Sequence, residues 1–97
     1  MGKITDKKLI KYFSVTKEAL DMAEKSENRL PEFEKEREDF LDMINRYVKD
    51  AKHFEKKGER VDAFAALNYA HGWLDAGARL GLFDVHNSRL FTVDDKE

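Results

Sequence analysis

The chain has 97 residues, of which 39% are charged, with a formal net charge of -2. Because basic and acidic side chains nearly balance, a dedicated nucleic-acid-binding protein, which usually carries a clear basic excess, is not expected. The absence of cysteine excludes disulfides, thiol catalysis and cysteine metal sites. We find no apolar run long enough for a membrane span and no secretory signal, and we therefore expect one cytoplasmic domain.

The first predicted helix begins at Thr5 or Asp6, either of which can cap it, and runs to about Asn28. Its apolar residues recur at helical spacing and form a broad buried face. They are Leu9, Tyr12, Phe13, Val15, Ala19, Leu20, Met22 and Ala23. The single proline, Pro31, suits the first turn of a second helix, where its missing N–H costs nothing.

The second predicted helix runs from about Pro31 to Lys57 and carries an aromatic residue at every seventh position. These residues are Phe33, Phe40, Tyr47 and Phe54, and Ile44 and Ala51 fill the alternate seam positions. A repeat of this period predicts helices packed at a small crossing angle, as in bundles and coiled coils. Arg37 interrupts the seam, and we expect it near a helix end or with its guanidinium turned outward.

Gly58 can end the second helix, and a turn this short predicts an antiparallel hairpin with a third helix over residues 59–82. Residues 83–97 show no helical pattern. Within them, Leu90 to Val93 could form an extended strip against the bundle, and Asp94 to Glu97 should fray. The sequence thus predicts an all-α, up-and-down antiparallel three-helix bundle, a single domain over residues 1–97 with a short irregular tail.

The third predicted helix is unusually apolar between Tyr69 and Leu82, where the rest of the chain is rich in Lys and Glu. One stripe is mostly small and would let another backbone approach closely. Its members are Ala63, Ala66, Leu67, Ala70, Trp73, Leu74, Gly77 and Gly81. Asn68, His71 and Asp75 lie on a mixed second stripe, while Tyr69, Ala76 and Leu80 lie on the opposite side. Two neighbouring helices cannot cover so much apolar surface, which indicates self-association or a partner protein.

Six residues of this helix are candidates for ligand or partner binding: Tyr69, His71, Trp73, Asp75, Gly77 and Arg79. In a purely structural interpretation, His71, Asp75 and Arg79, at four-residue steps, form a ladder of hydrogen bonds on the helix surface. In a first functional hypothesis, the Trp73 and Gly77 region docks on a second copy or another protein. In a second hypothesis, Tyr69, His71, Asp75 and Arg79 line a small-ligand or enzymatic pocket.

Other chemistry finds little support in the sequence. His53, His71 and His86 lack metal-ligand spacing with one another, and Asp50-x-x-His53 is half of a bundle di-metal motif without its second half. No phosphate-binding loop, dinucleotide fingerprint or nucleophile elbow is present, so we expect no cofactor, no metal and no catalytic residue. An enzymatic role stays open as the less favoured alternative. The N-terminal lysines could contact phosphate, although a solvated lysine face is far commoner. They are Lys3, Lys7, Lys8, Lys11 and Lys17.

The segment Tyr-Ala-His-Gly-Trp-Leu-Asp-Ala-Gly at residues 69–77 resembles an uncharacterised archaeal family of short proteins, a domain of unknown function. The likeness extends upstream through Tyr47, Asp50, Ala51, Phe54 and Gly58, and downstream through Arg79, Leu80 and Gly81. The resemblance implies a left-handed, up-and-down three-helix bundle of the kind seen in immunoglobulin- and albumin-binding domains. It implies no established activity. Relatives joined to a nucleotidyltransferase-like domain would make the bundle a nucleotide-related accessory module with a polar site on the third helix.

Overall fold

The computed structural model describes residues 4–93 and contains three α-helices. Helix α1 spans Asp6–Lys25, a short 3-10 turn at Pro31–Phe33 leads into α2, Glu34–Lys56, and α3 spans Arg60–Leu80. Residues 81–93, here called the tail segment, follow in turns and bends, and no strand occurs within residues 4–93. The all-helical class with three helices is therefore confirmed. Lys3 and the segment expected to fray, residues 94–97, lie outside the described residues.

Helix α1 is bounded by two hydroxyl caps. At its start, Thr5 Oγ1 accepts a hydrogen bond from the Lys8 backbone N–H at 3.1 Å. At its end, Ser26 leaves the helical conformation (φ -77°, ψ 164°) and its hydroxyl donates to the Ala23 carbonyl at 2.6 Å. The helix therefore ends at Lys25, three residues before the expected end at Asn28.

Helices α2 and α3 pack along their aromatic residues. Phe40 meets Trp73 edge to face with ring centroids 4.8 Å apart, and Tyr47 meets Tyr69 in the same way at 4.6 Å. A step forward along α2 is thus a step backward along α3, with Gly58 in the turn between them. The Tyr12 ring of α1 meets the Phe64 ring of α3 edge to face, with centroids 4.7 Å apart. This contact places the start of α1 beside the start of α3. These contacts are compatible with an up-and-down arrangement.

The tail segment forms part of the hydrophobic core. Five of its side chains are buried with residues of all three helices: Leu82, Phe83, Val85, Leu90 and Phe91. The extended strip expected at Leu90 to Val93 is wrong, because the Leu90 and Phe91 N–H groups both donate to the Asn87 carbonyl and close a turn. The turn satisfies the backbone locally and turns apolar side chains onto α3, so the tail covers apolar surface that the helices alone leave bare.

Gly77 receives the ring of Phe83, which is completely buried. A Cβ at Gly77 would overlap that ring, so the small stripe of α3 admits an aromatic side chain here and not the backbone that we expected. The turn that brings Phe83 back requires Gly81 in the left-handed region (φ 103°), where the Gly77 carbonyl accepts the N–H groups of Gly81 and Leu82. The close contact therefore depends on both glycines.

Arg37 lies in the first turn of α2, near a helix end as one of the two expectations had it. Its side chain is buried, with 8% of its surface exposed, so the alternative of an outward orientation is wrong. Its Nη1 donates to the Leu82 carbonyl at 2.7 Å. Its Nη2 donates to the carbonyls of Ser26, Glu24 and Ala23 at 3.0, 3.2 and 3.3 Å. Because a helix end leaves its last carbonyls without partners, these acceptors at the end of α1 favour a buried guanidinium. Arg37 thus joins the end of α1 and the tail segment to the first turns of α2.

We expect Arg37→Met to lower the free energy of unfolding by about 2–4 kcal/mol, because buried carbonyls lose their donors. Chemical denaturation measures the change. Arg46→Met is the matched control, since Arg46 makes an exposed ion pair with Asp42 at 3.0 Å, and it should cost no more than about 0.5 kcal/mol. Equal losses in the two variants would show that the guanidinium of Arg37 has no special role.

The two glycines inside α3 should respond oppositely to alanine. A Cβ at Gly72 meets no atom within 4 Å beyond its own helical turn, so Gly72→Ala should stabilise the protein by about 0.5–1 kcal/mol through helix propensity. Gly77→Ala should destabilise it by about 1–3 kcal/mol, because the Phe83 ring must move. Thermal unfolding of both variants tests the pair. A stabilised Gly77→Ala protein would contradict the contact with Phe83.

Candidate functional site

The six candidate residues of α3 point to different surroundings. Tyr69 and Trp73 face α2, where Tyr69 stays 56% exposed and Trp73 is half-buried against Phe40. Gly77 is buried beneath Phe83 and presents no surface to a partner. The polar candidates point away from α2, towards the tail segment. The structure therefore does not bring Tyr69 together with His71, Asp75 and Arg79.

His71, Asp75 and Arg79 bond to the tail segment and not to one another. His71 Nε2 bonds to the Leu90 carbonyl, and because a carbonyl only accepts, Nε2 carries the proton. Asp75 accepts from the backbone N–H and the hydroxyl of Thr92, at 2.9 and 3.1 Å, and Arg79 Nη1 donates to the Thr92 carbonyl at 3.3 Å. His71 Nε2 and Asp75 Oδ1 are 3.9 Å apart, which is too far for a hydrogen bond between them. These side chains position the tail segment on α3.

Beside these contacts, a groove of about 460 Å³ lies between α1 and α3, which we call the α1/α3 groove. It is lined by Tyr12, Val15, Thr16, Asn68, His71, Gly72, Asp75 and Arg89. Thr16 is only 1% exposed, and its Oγ1 has no hydrogen-bond partner within residues 4–93. At the rim, Arg89 Nη2 donates to Glu18 at 2.7 Å. Sequence reasoning missed Thr16, although a hydroxyl on the apolar face of α1 was a visible signal.

A second concave surface, the α2/α3 cleft, has a volume of about 370 Å³. It is lined by Tyr47, Asp50, Phe54, Asp62, Ala65, Ala66 and Tyr69. Burial raises the pKa of the Tyr47 hydroxyl, and the neighbouring Tyr69 and Asp50 raise it further. Both charged residues of the cleft are acidic. The cleft is therefore an aromatic surface that carries two negatively charged side chains.

A third surface, the α1/α2 edge, is basic. It is lined by Ile10, Phe13, Lys17, Lys52, Glu55 and Lys56 around a hollow of about 300 Å³. Ile10 is 62% exposed. The positive charge of Lys17 lowers the pKa of Lys52, with a smaller effect from Lys56, so these ammonium groups repel one another. The edge thus combines an exposed aliphatic side chain with unbalanced positive charge.

Two features of the described residues bear on metal ions and membranes, namely their side-chain clusters and their helices. Residues 4–93 contain no group of three or more His, Asp or Glu side chains arranged to bind a metal ion. Over the same range, no helix combines the length and the apolar character that crossing a bilayer requires.

The family model for "Protein of unknown function (DUF357)" matches residues 11–83, from the first turns of α1 to the buried Phe83. The chain belongs to this family. This membership confirms the expected resemblance to a domain of unknown function. No curated protein and no solved structure matches the chain. Function must therefore be inferred from the surfaces of this DUF357 domain.

We expect Asp75→Ala to release the end of the tail segment, because Thr92 loses both bonds to the carboxylate. Amide hydrogen exchange at Thr92 should accelerate, and the free energy of unfolding should fall by about 1–2 kcal/mol. Asp42→Ala, which removes an exposed carboxylate from α2, is the control and should leave exchange at Thr92 unchanged. Unaltered exchange in Asp75→Ala would mean that the carboxylate does not position the tail segment.

Proposed function

We propose that this protein is a non-enzymatic interaction module, a single up-and-down antiparallel three-helix domain that binds a second copy of itself. In this proposal, the α2/α3 cleft of one copy receives the α1/α2 edge of the other. The observation that carries it is an uncovered aromatic cleft with acidic residues at its edge. The opposite register of α2 and α3 in their aromatic pairs supports the bundle arrangement.

Two more exposed apolar side chains extend the line of aromatic residues along which α2 and α3 pack. The pairing of Phe40 with Trp73, continued by one seven-residue step, leads to Phe33 and Leu80, and both are exposed. The tail segment covers the other side of α3 and does not reach this one. Contiguous apolar surface with a polar edge is typical of protein-binding sites. This supports an interaction through the side of α3 that faces α2.

Charge favours a second copy as the occupant. Asp50 and Asp62 at the cleft would meet Lys17 and Lys52 at the α1/α2 edge, while the exposed Ile10 would enter the cleft beside the aromatic rings. Complementary charges of this kind steer association and fix orientation. Two clefts facing each other would instead bring like charges together. A two-fold arrangement of two reciprocal cleft-to-edge contacts satisfies both surfaces of each copy.

Charge reversal on each surface tests this pairing. The cleft variant Asp50→Lys/Asp62→Lys and the edge variant Lys17→Asp/Lys52→Asp should each be monomeric in sedimentation equilibrium at low salt, whereas the native chain should self-associate. Mixing the two variants should restore association, because every cleft-to-edge contact again joins opposite charges. High salt should weaken the native dimer, since surface charge pairs are screened.

The control exchanges charge elsewhere. Lys25→Glu reverses one charge of the exposed Lys25–Asp21 ion pair of α1. Lys25 lines neither surface, so this variant should leave the native association constant unchanged. A native chain that stays monomeric at every attainable concentration would contradict the proposal. So would two variants that fail to associate on mixing while both remain folded by circular dichroism. Binding of a different protein to a monomeric chain would replace the second copy with another partner.

A further inference from the structure

We infer that the α1/α3 groove binds a small uncharged molecule that carries an amide or hydroxyl group beside an apolar portion. This inference is independent of self-association, which uses other surfaces. The groove of about 460 Å³ lies within the range of roughly 300–1,000 Å³ that is usual for small-molecule sites. Three observations point to an occupant: a buried hydroxyl without a partner, a glycine that packing does not require, and lining charges that are already compensated.

The hydroxyl of Thr16 is the first observation. A buried hydroxyl without a hydrogen bond costs roughly 1–3 kcal/mol. A threonine inside a helix can offset that cost by bonding to the carbonyl one turn earlier, yet Oγ1 of Thr16 has no partner in residues 4–93. Valine would fill the same space without the cost. Oγ1 itself has almost no accessible surface. The hydroxyl is therefore explained by a molecule that exchanges a hydrogen bond with it once the side chains that cover it move apart.

Gly72 is the second observation. A glycine inside a helix costs about 1 kcal/mol relative to alanine. Gly77 has a reason, the ring of Phe83, and Gly81 adopts a left-handed conformation. Gly72 has helical φ and ψ, and a Cβ there would meet no atom within 4 Å outside its own turn. Because Gly72 lines the same groove as Thr16, its missing side chain leaves room in the groove itself.

The charges around the groove favour an uncharged ligand. Both oxygens of Asp75 accept hydrogen bonds from Thr92, and Arg89 is paired with Glu18. An ionic ligand would therefore meet charged groups that already have hydrogen-bond or ion-pair partners. An amide offers both a donor and an acceptor to Thr16 Oγ1, and the Asn68 amide lines the groove as a further polar partner. Tyr12 and Val15 supply the apolar wall for the rest of the molecule.

Three probes of nearly the same shape test the inference: benzamide, benzoate and benzamidinium. Each is titrated into the isotope-labelled chain while the backbone amide resonances are followed by NMR. Benzamide should shift the resonances of Thr16, Asn68 and Gly72 along saturating curves. The two ions, benzoate and benzamidinium, should bind at least about tenfold more weakly, because the charged groups of the groove already have partners.

Two variants test separately the hydroxyl of Thr16 and the space left by Gly72. Thr16→Val keeps the shape of the side chain and should weaken benzamide binding by about tenfold, while raising the melting temperature because a buried unpaired hydroxyl is gone. Gly72→Leu should fill the groove and abolish the shifts. Ser14→Ala removes an exposed hydroxyl from the same helix and should change neither property.

Any of three results would overturn the inference. The first is undiminished benzamide binding in Thr16→Val, which would show that the hydroxyl does not recognise the molecule. The second is the absence of saturable shifts with benzamide in the native chain, which would leave an ordered water as the partner of Thr16. Preferential binding of benzoate or benzamidinium would likewise reject an uncharged ligand. None of these results depends on whether the chain forms a dimer.

Discussion

The buried guanidinium of Arg37 is the interaction on which the arrangement of the whole chain depends. Helix α1 ends with carbonyls that no helical N–H can reach, and Arg37 donates to three residues of that end and also to Leu82. Its five-donor planar fork suits this number of acceptors, which a lysine could not satisfy. The ring of Phe83 lies 5.5 Å from the guanidinium and completes its surroundings. One side chain of α2 thereby positions both the end of α1 and the start of the tail segment.

The tail segment determines which surfaces of α3 remain available. Once Leu82 is bonded to Arg37, Phe83 packs on Gly77, and the following residues return along α3 to place Leu90 over His71 and Thr92 over Asp75. This path covers the side of α3 that lies away from α2. The cleft against α2 and the groove against α1 stay open. The tail segment thus covers part of the apolar surface of α3, and the rest lies at the α2/α3 cleft and the α1/α3 groove.

Periodicity alone predicts the helices, because each apolar face repeats within a local window. It does not predict the burial of Arg37, since a polar residue at a seam position can be exposed or buried, and the carbonyls that decide come from segments 11 to 45 residues away in the chain. It also misjudges the partners of His71, Asp75 and Arg79. Their four-residue spacing indicated a ladder within one helix, whereas the bonds are made by a tail segment that has no periodic pattern. Long-range contacts to irregular backbone leave no such local signal.

Gly72 and Gly77 show how a sequence feature that looks uniform can have two physical causes. Both are interior glycines of one apolar helix, and composition gives no means to distinguish them. Packing accounts completely for Gly77, because a methyl group there would overlap Phe83, but it leaves Gly72 unexplained. Gly72 is exposed, and there a glycine weakens the helix without relieving any contact within the chain. Since Gly72 and the unbonded Thr16 hydroxyl line the same groove, a single bound molecule accounts for both costs at once.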